Sequence, residues 1–156
     1  MWNKTKSLLL SRILTWITFV IVAVLTFFVP DFSEWYDKSF IYDYGFFSDF
    51  SVKIPMCVIL YICEIFAFIA LYSLNTLLSN ISRNSVFTEQ NTLCLRRISW
   101  VCMLAGVAFF VLGLWRFVFI LAGFVDVMFG LIMSVLKNVF EKAVDIKSEN
   151  DFTFDL

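Results

Sequence analysis

Apolar residues in this chain gather into four long blocks, at residues 8–29, 54–78, 98–121 and 123–140, with polar stretches between them. Each block approaches or exceeds the ~20 apolar residues with which an α-helix crosses the ~30 Å hydrocarbon core of a bilayer. In lipid the backbone must satisfy its own hydrogen bonds, which a helix does within itself. The predicted fold is therefore all-α: an integral membrane four-helix bundle forming one transmembrane domain over residues 1–156. The connecting segments are a loop at 31–53, a second loop at 79–97 and a tail at 141–156. Pro30 is expected to end the first helix, since proline lacks an N–H and restricts its predecessor. Pro55 falls in the first turn of the second helix, where the missing N–H costs nothing. Between Ile98 and Leu136 the only charges are Arg116 and Asp126. That run is too long for one crossing, so a tight turn is expected between Arg116 and Gly123, ending at Gly123.

Composition agrees with lipid as the solvent. The chain is 61% hydrophobic and 16% charged, with mean hydropathy +0.87, too little polar surface for a water-soluble domain of this length. The net charge of -1 is less informative than its distribution. Lys4, Lys6, Arg12, Arg83, Arg96, Arg97, Lys137, Lys142 and Lys147 fall on one side of the predicted spans, against Lys38, Lys53 and Arg116 on the other. By the positive-inside rule both termini are expected to be cytoplasmic, and an even number of spans independently requires them to share a side. The first block lacks a small-residue cleavage site and continues into Phe27-Phe28-Val29-Pro30-Asp31, so it is expected to be an uncleaved anchor rather than a secretory signal. The external loop at 31–53 is acidic and aromatic, with Asp31, Glu34, Asp37, Asp43 and Asp49 beside Trp35, Tyr36, Tyr42 and Tyr44. It reads either as an interfacial cover for the helix ends or as a recognition surface.

Candidate chemistry is sparse. There is no histidine, which removes the commonest metal ligand and general base. Cys57, Cys63, Cys94 and Cys102 read as small apolar fillers of the helices. Glu64 is the unusual position, an ionisable group near the middle of a span, where insertion costs ~2.5–3.5 kcal/mol. It is expected either to hydrogen-bond helices together or to form a proton or cation site, with Thr18 as the hydroxyl partner nearest in depth. Gly106 and Gly113 mark one face of the third helix, and Gly123 and Gly130 one face of the fourth. Small residues permit close approach, so these faces are predicted to pack, pairing Arg116 with Asp126 near the turn. In the loop at 79–97, Thr88 can cap a helix that begins before the membrane, with Glu89 in its first turn. Arg96 and Arg97 would then face anionic headgroups or simply set topology.

No phosphate loop, metalloprotease motif or nucleophile elbow occurs, so an enzyme is not expected, nor a metal or cofactor. The stretch Val86-Phe87-Thr88-Glu89-Gln90-Asn91, followed by Leu95-Arg96-Arg97-Ile98-Ser99, and the tail Phe140–Asp145 with Glu149–Phe154, resemble domain-of-unknown-function family 2975, small bacterial four-helix membrane proteins. Val86 stands where that family prefers proline, and Ala143 where it often has glycine. The resemblance implies a multi-pass protein of the bacterial inner membrane, often encoded beside a Cro/C1-type helix-turn-helix regulator. The expected role is a non-enzymatic membrane partner or sensor in a regulatory or stress-response pair, with no direct nucleic-acid contact. Arg83, Phe87, Asn91, Arg96 and Arg97 would meet the soluble partner or lipid. The competing expectation is a bacteriocin-immunity or small permeation protein using the aromatic loop or Glu64. A homo-oligomer is compatible with either.

Overall fold

A computed structural model describes residues 4–39, 45–47 and 49–154, with only the backbone for 4, 5 and 151–154. Tyr42, Asp43 and Tyr44 of the expected external loop, and Asp155 and Leu156 of the tail, lie outside the described residues. The described chain forms four α-helices: α1 at Lys4–Ser39, α2 at Lys53–Ser82, α3 at Glu89–Leu112 and α4 at Val118–Phe154. All four are long and apolar enough to cross a membrane, and the protein is a multi-pass membrane protein. Phe27, Ile54 and Leu121 are 82%, 74% and 67% exposed; on a protein in water such surface would aggregate, whereas in lipid it is solvated.

The helix bounds differ from the sequence expectation in four places, each with a local cause. First, α1 runs straight through Pro30 to Ser39. The proline withdraws the N–H that would have bonded the Thr26 carbonyl, four residues back. The Tyr61 hydroxyl of α2 donates to that carbonyl at 3.4 Å, so the gap in the ladder is filled from the neighbouring helix. Second, α2 extends to Ser82 and stops where Asn84 adopts φ 61, a left-handed conformation that asparagine tolerates better than most residues. Asn84 and Ser85 donate back to the carbonyls of Ile81 and Asn80 at 3.1 and 3.0 Å. Third, α3 starts as expected, at Glu89 behind its cap Thr88, whose side chain accepts from the Asn91 N–H at 3.3 Å, and differs at its other end. It ends at Leu112, so the turn occupies residues 113–117 instead of closing at Gly123. The free Leu114 carbonyl accepts from the Phe47 N–H at 3.0 Å, and the Phe47 and Trp115 rings meet at 5.4 Å; the loop between α1 and α2 thereby caps the turn between α3 and α4. Fourth, the expected tail is largely helix, since α4 continues past Phe140 to Phe154.

The backbones pack in chain order, α1 along α2, α2 along α3 and α3 along α4, with the last pair in the most extensive contact. The arrangement is a serial row rather than a ring, and α1 reaches α4 where the Tyr36 and Phe119 rings meet at 5.4 Å. Antiparallel order puts the α1–α2 loop and the α3–α4 turn at one end (the loop end). The start of α1, the α2–α3 loop and the end of α4 lie at the other (the termini end).

Glycine explains why α3 and α4 sit closest. A β-carbon at Gly106 would stand 2.8 Å from the Gly123 carbonyl, and one at Gly123 2.7 Å from the Gly106 carbonyl. Each backbone occupies the space a side chain would take on the other. The buried Ser99 hydroxyl donates across the same seam to the Gly130 carbonyl at 2.7 Å. The core divides in two. One cluster at the loop end holds Tyr36, Val52, Met56, Ile59 and Leu112; the other, at the termini end, holds Leu77, Cys94 and Leu95. Between them lies the level of the intramembrane carboxylates.

Candidate functional site

Three polar layers are stacked along the molecule. At the loop end the node is Asp37, near the end of α1. Its Oδ1 accepts from the Val52 N–H at 2.9 Å and its Oδ2 from the Ser51 hydroxyl at 2.7 Å. Asp37 thus fixes the start of α2, whose N-cap residue Val52 makes no side-chain cap of its own. The Arg116 guanidinium, 3% exposed in the α3–α4 turn, lies 4.0 Å from the same carboxylate. Arg116 therefore engages Asp37 and not Asp126. The turn falls earlier than the spacing suggests, leaving Asp126 eight residues into α4, ~12 Å further along the helix. Glu34 sits beside this node, bridging Lys38 and Lys53 at 2.6 Å each. Exposed pairs of this kind contribute little individually, but Glu34–Lys53 joins α1 to α2.

At mid-height, Glu64 lies on α2 about 16 Å from Lys53 along the helix axis. It lines an open groove of about 460 Å³ between α1 and α2, walled by Val22, Leu25, Phe28, Phe32 and Leu60. Among the described residues no hydrogen bond or ion pair reaches Glu64. Thr18 is not its partner. Glu34 pairs with Lys53, Thr26 with Tyr61 and Phe19 with Phe68, a register that sets Ala23 opposite Glu64. Thr18 is five residues further toward the termini end, ~7.5 Å away, and donates to its own helix at the Leu14 carbonyl, 2.9 Å. Asp126 lines a separate crevice of about 250 Å³ among α2, α3 and α4, together with Cys63, Ala67 and Cys102. Cys63 and Ala67 also line the Glu64 groove, so the two carboxyl groups stand at nearly the same depth in adjoining spaces.

At the termini end, Asn91 is fully buried and holds the α2–α3 loop together. Its Nδ2 donates to the carbonyls of Ser85 and Val86 at 2.8 and 2.6 Å, while its Oδ1 accepts from Asn80 Nδ2 at 2.8 Å. It is a structural pin and offers no surface to a partner, contrary to the expectation from sequence. Arg83 is exposed. Phe87, 45% exposed, packs its ring 5.5 Å from Phe140, tying the loop to α4. Arg96 and Arg97 point different ways. Arg96 bonds Glu141 of α4 at 2.9 Å, and Glu141 also meets Lys137 at 3.2 Å. Arg97 lines a shallow space beside Phe19, Tyr72 and Ser73, on the α1–α2 side at the depth where a long side chain reaches headgroups. Glu89, Thr92, Leu93, Arg96, Glu141 and Asp145 surround a groove of about 390 Å³ between the ends of α3 and α4. Sequence reasoning missed this groove. The signal was present as Lys137, Glu141 and Asp145 at four-residue spacing, one face of a helix, but Glu141 and Asp145 lay beyond the expected end of the fourth span. Among the described residues no group of three or more His, Cys, Asp or Glu is placed to hold a metal ion.

The sequence model of the family described as "Protein of unknown function (DUF2975)" matches residues 48–154. The chain belongs to this family. The DUF2975 match takes in all of α2, α3 and α4 and leaves α1 outside it. Glu64, Asp126, the Asn91 pin and the acidic groove all fall inside the DUF2975 region. Comparisons with curated proteins and with solved structures found no match.

Proposed function

We propose that this DUF2975 protein is a non-enzymatic membrane receptor for a soluble, basic regulator, docked at its termini end on the cytoplasmic side of a bacterial plasma membrane. The observation that carries this reading is the groove between α3 and α4, where Glu89, Glu141 and Asp145 outnumber Arg96. It leads onto the end of α4, where Asp145, Ile146, Lys147 and Glu149 are exposed. The antiparallel register carries α4 beyond the first residue of α3, so its last turns stand clear of the neighbouring helix. Charge is layered along α3 and α4 at this end. Arg97 and Lys137 lie nearer the apolar spans, suited to anionic headgroups, and Glu89, Glu141 and Asp145 lie further out, suited to a cationic protein surface. The nine-to-three distribution of Lys and Arg in the sequence supports a cytoplasmic position for this end. A DNA-binding regulator is basic on its DNA-facing side, so sequestration at an acidic groove would compete with DNA.

The test pairs binding with output. Photo-crosslinking from Ile146 in intact cells is expected to capture a basic DNA-binding protein. The double charge reversal Glu89→Lys and Asp145→Lys is expected to abolish the adduct and shift that protein's target transcripts. An unchanged transcript profile together with no such adduct refutes the reading.

A further inference from the structure

Toward the termini end, two arginines stand at one level on either side of α2. The pairings Glu34–Lys53, Thr26–Tyr61 and Phe19–Phe68 set Arg12 of α1 opposite Asn75 of α2. The Asn80–Asn91 bond sets Arg97 of α3 opposite Leu74 of the same helix. Both arginines are exposed, and among the described residues no hydrogen bond or ion pair reaches either. From Arg12 to Glu34 the first helix rises ~33 Å, close to the ~30 Å thickness of the hydrocarbon core. With the Glu34–Lys53 pair at the far boundary of the bilayer, the two arginines lie at the near one. Trp16 and Tyr72, both exposed beside them, are residue types that gather at such boundaries. Further toward the midplane the surface changes character within ~10 Å. A space of about 520 Å³ over α2 has Arg97 and Tyr72 at its outer end and Phe19, Phe68 and Ile69 further in. Arg12, Trp16 and Phe19 follow one another at helical spacing on one stripe of α1, so Arg12 stands at the outer end of the same wall.

Cation outside and hydrocarbon inside is the order of a phospholipid, a phosphodiester followed by acyl chains. A soluble anion gains nothing from the inner half of this trough, and a wholly apolar lipid gains nothing from the outer half. The charges also select the headgroup. No Asp or Glu occurs in α1 before Asp31 or in α2 after Glu64, while Glu89 and Glu141 line the separate groove between α3 and α4. The ammonium of a zwitterionic lipid therefore finds no counter-charge here, whereas a lipid of net negative charge matches the two guanidinium groups. We infer that the face of α2 between Arg12 and Arg97 is a binding site for an anionic phospholipid of the termini-end leaflet. Its phosphodiester meets the guanidinium groups, whose fork suits phosphate oxygens, and an acyl chain lies along Phe19, Phe68 and Ile69. The site is distinct from the acidic docking groove and does not rest on that reading.

Native mass spectrometry of the full-length protein in a non-ionic detergent, titrated with dioleoylphosphatidylglycerol or dioleoylphosphatidylcholine, tests the inference. The first phosphatidylglycerol is expected to bind about tenfold tighter or more than phosphatidylcholine, as two interfacial arginines would give. Arg97→Gln and Arg12→Gln should each cut that preference about fivefold, and the double substitution should abolish it. Arg97→Lys, which keeps the charge but not the fork, should fall between wild type and Arg97→Gln. Arg83→Gln removes the same charge at an exposed site outside the trough and should bind as wild type. Excess glycerol 1-phosphate, a phosphate without chains, should not displace the lipid. All comparisons use protein whose helicity and thermal melt match wild type, which substitution at exposed positions permits. The inference is overturned if the two lipids bind alike, if Arg97→Gln keeps the full preference, or if Arg83→Gln loses as much. Displacement by glycerol 1-phosphate would also overturn it, marking a site for free phosphate instead of lipid.

Discussion

Adding one methyl group at Gly123 sets two effects of opposite sign against each other. In a helix, alanine is favoured over glycine by ~1 kcal/mol, so Gly123→Ala would stabilise α4 if the new β-carbon had room. It has none: the β-carbon would stand 2.7 Å from the Gly106 carbonyl oxygen, 3.0 Å from Phe110 Cδ1 and 3.1 Å from the Phe110 backbone nitrogen. Two of these three neighbours are backbone atoms of α3 and cannot rotate aside. Ordinary van der Waals contact needs ~3.4 Å or more, so the helices must separate by roughly 0.5–0.7 Å at this point. The displacement spreads along the seam, because Gly130 meets Met103 and Ser99 in the same way, and it loosens the Ser99–Gly130 hydrogen bond. Overpacking costs ~1–3 kcal/mol, and backbone neighbours that cannot rotate aside put this site in the upper part of that range, ~2–3 kcal/mol; less the propensity gain, the net loss is ~1–2 kcal/mol. Helicity followed by circular dichroism through an SDS titration of mixed micelles measures it. Val107→Ala, at a site 55% exposed on α3, serves as control and should shift the curve by less than ~0.5 kcal/mol. Were Gly123→Ala to unfold at the same or a higher SDS fraction than wild type, close glycine-to-backbone packing of α3 on α4 would be wrong.

Two further perturbations address the two ends. Asn91→Ala removes the three hydrogen bonds by which its side chain holds Asn80, Ser85 and Val86, at a cost of ~1–3 kcal/mol; limited proteolysis should then cut between residues 83 and 88, and an unchanged cleavage rate would show that the loop is held some other way. For the loop-end node, Asp37→Asn and Arg116→Gln should each destabilise, with a coupling of ~0.5–3 kcal/mol in a double-mutant cycle. Additivity within ~0.3 kcal/mol would mean that the 4.0 Å approach contributes no pairing energy.

Much of the architecture was legible in the residues because bilayer thickness imposes a one-dimensional rule. A helix crosses or it does not, and apolar length decides, so the four spans, the Thr88 cap and the glycine faces could be read directly. The family resemblance rested on residues such as Asn91 and Leu95, both of which this fold buries. What escaped were quantities set by neighbours. The chain alone says that Pro30 should stop a helix. That it does not depends on Tyr61, thirty-one residues away, offering a proton to the carbonyl the proline leaves bare. Spacing alone put Arg116 and Asp126 on matching glycine faces, but the turn closed one helical stretch earlier, and Arg116 came to lie against Asp37 from the opposite end of the sequence. Depth along a helix can be counted from a boundary, which located Glu64; which side chain stands across from it depends on helix register, and register excluded Thr18. The sequence by itself determined that this protein lives in lipid as four helices, since solvent preference is a property of composition and length. Tertiary structure decided where each helix ends, which charges meet and which residues stand across from one another, because those follow from distances between segments that no local pattern encodes.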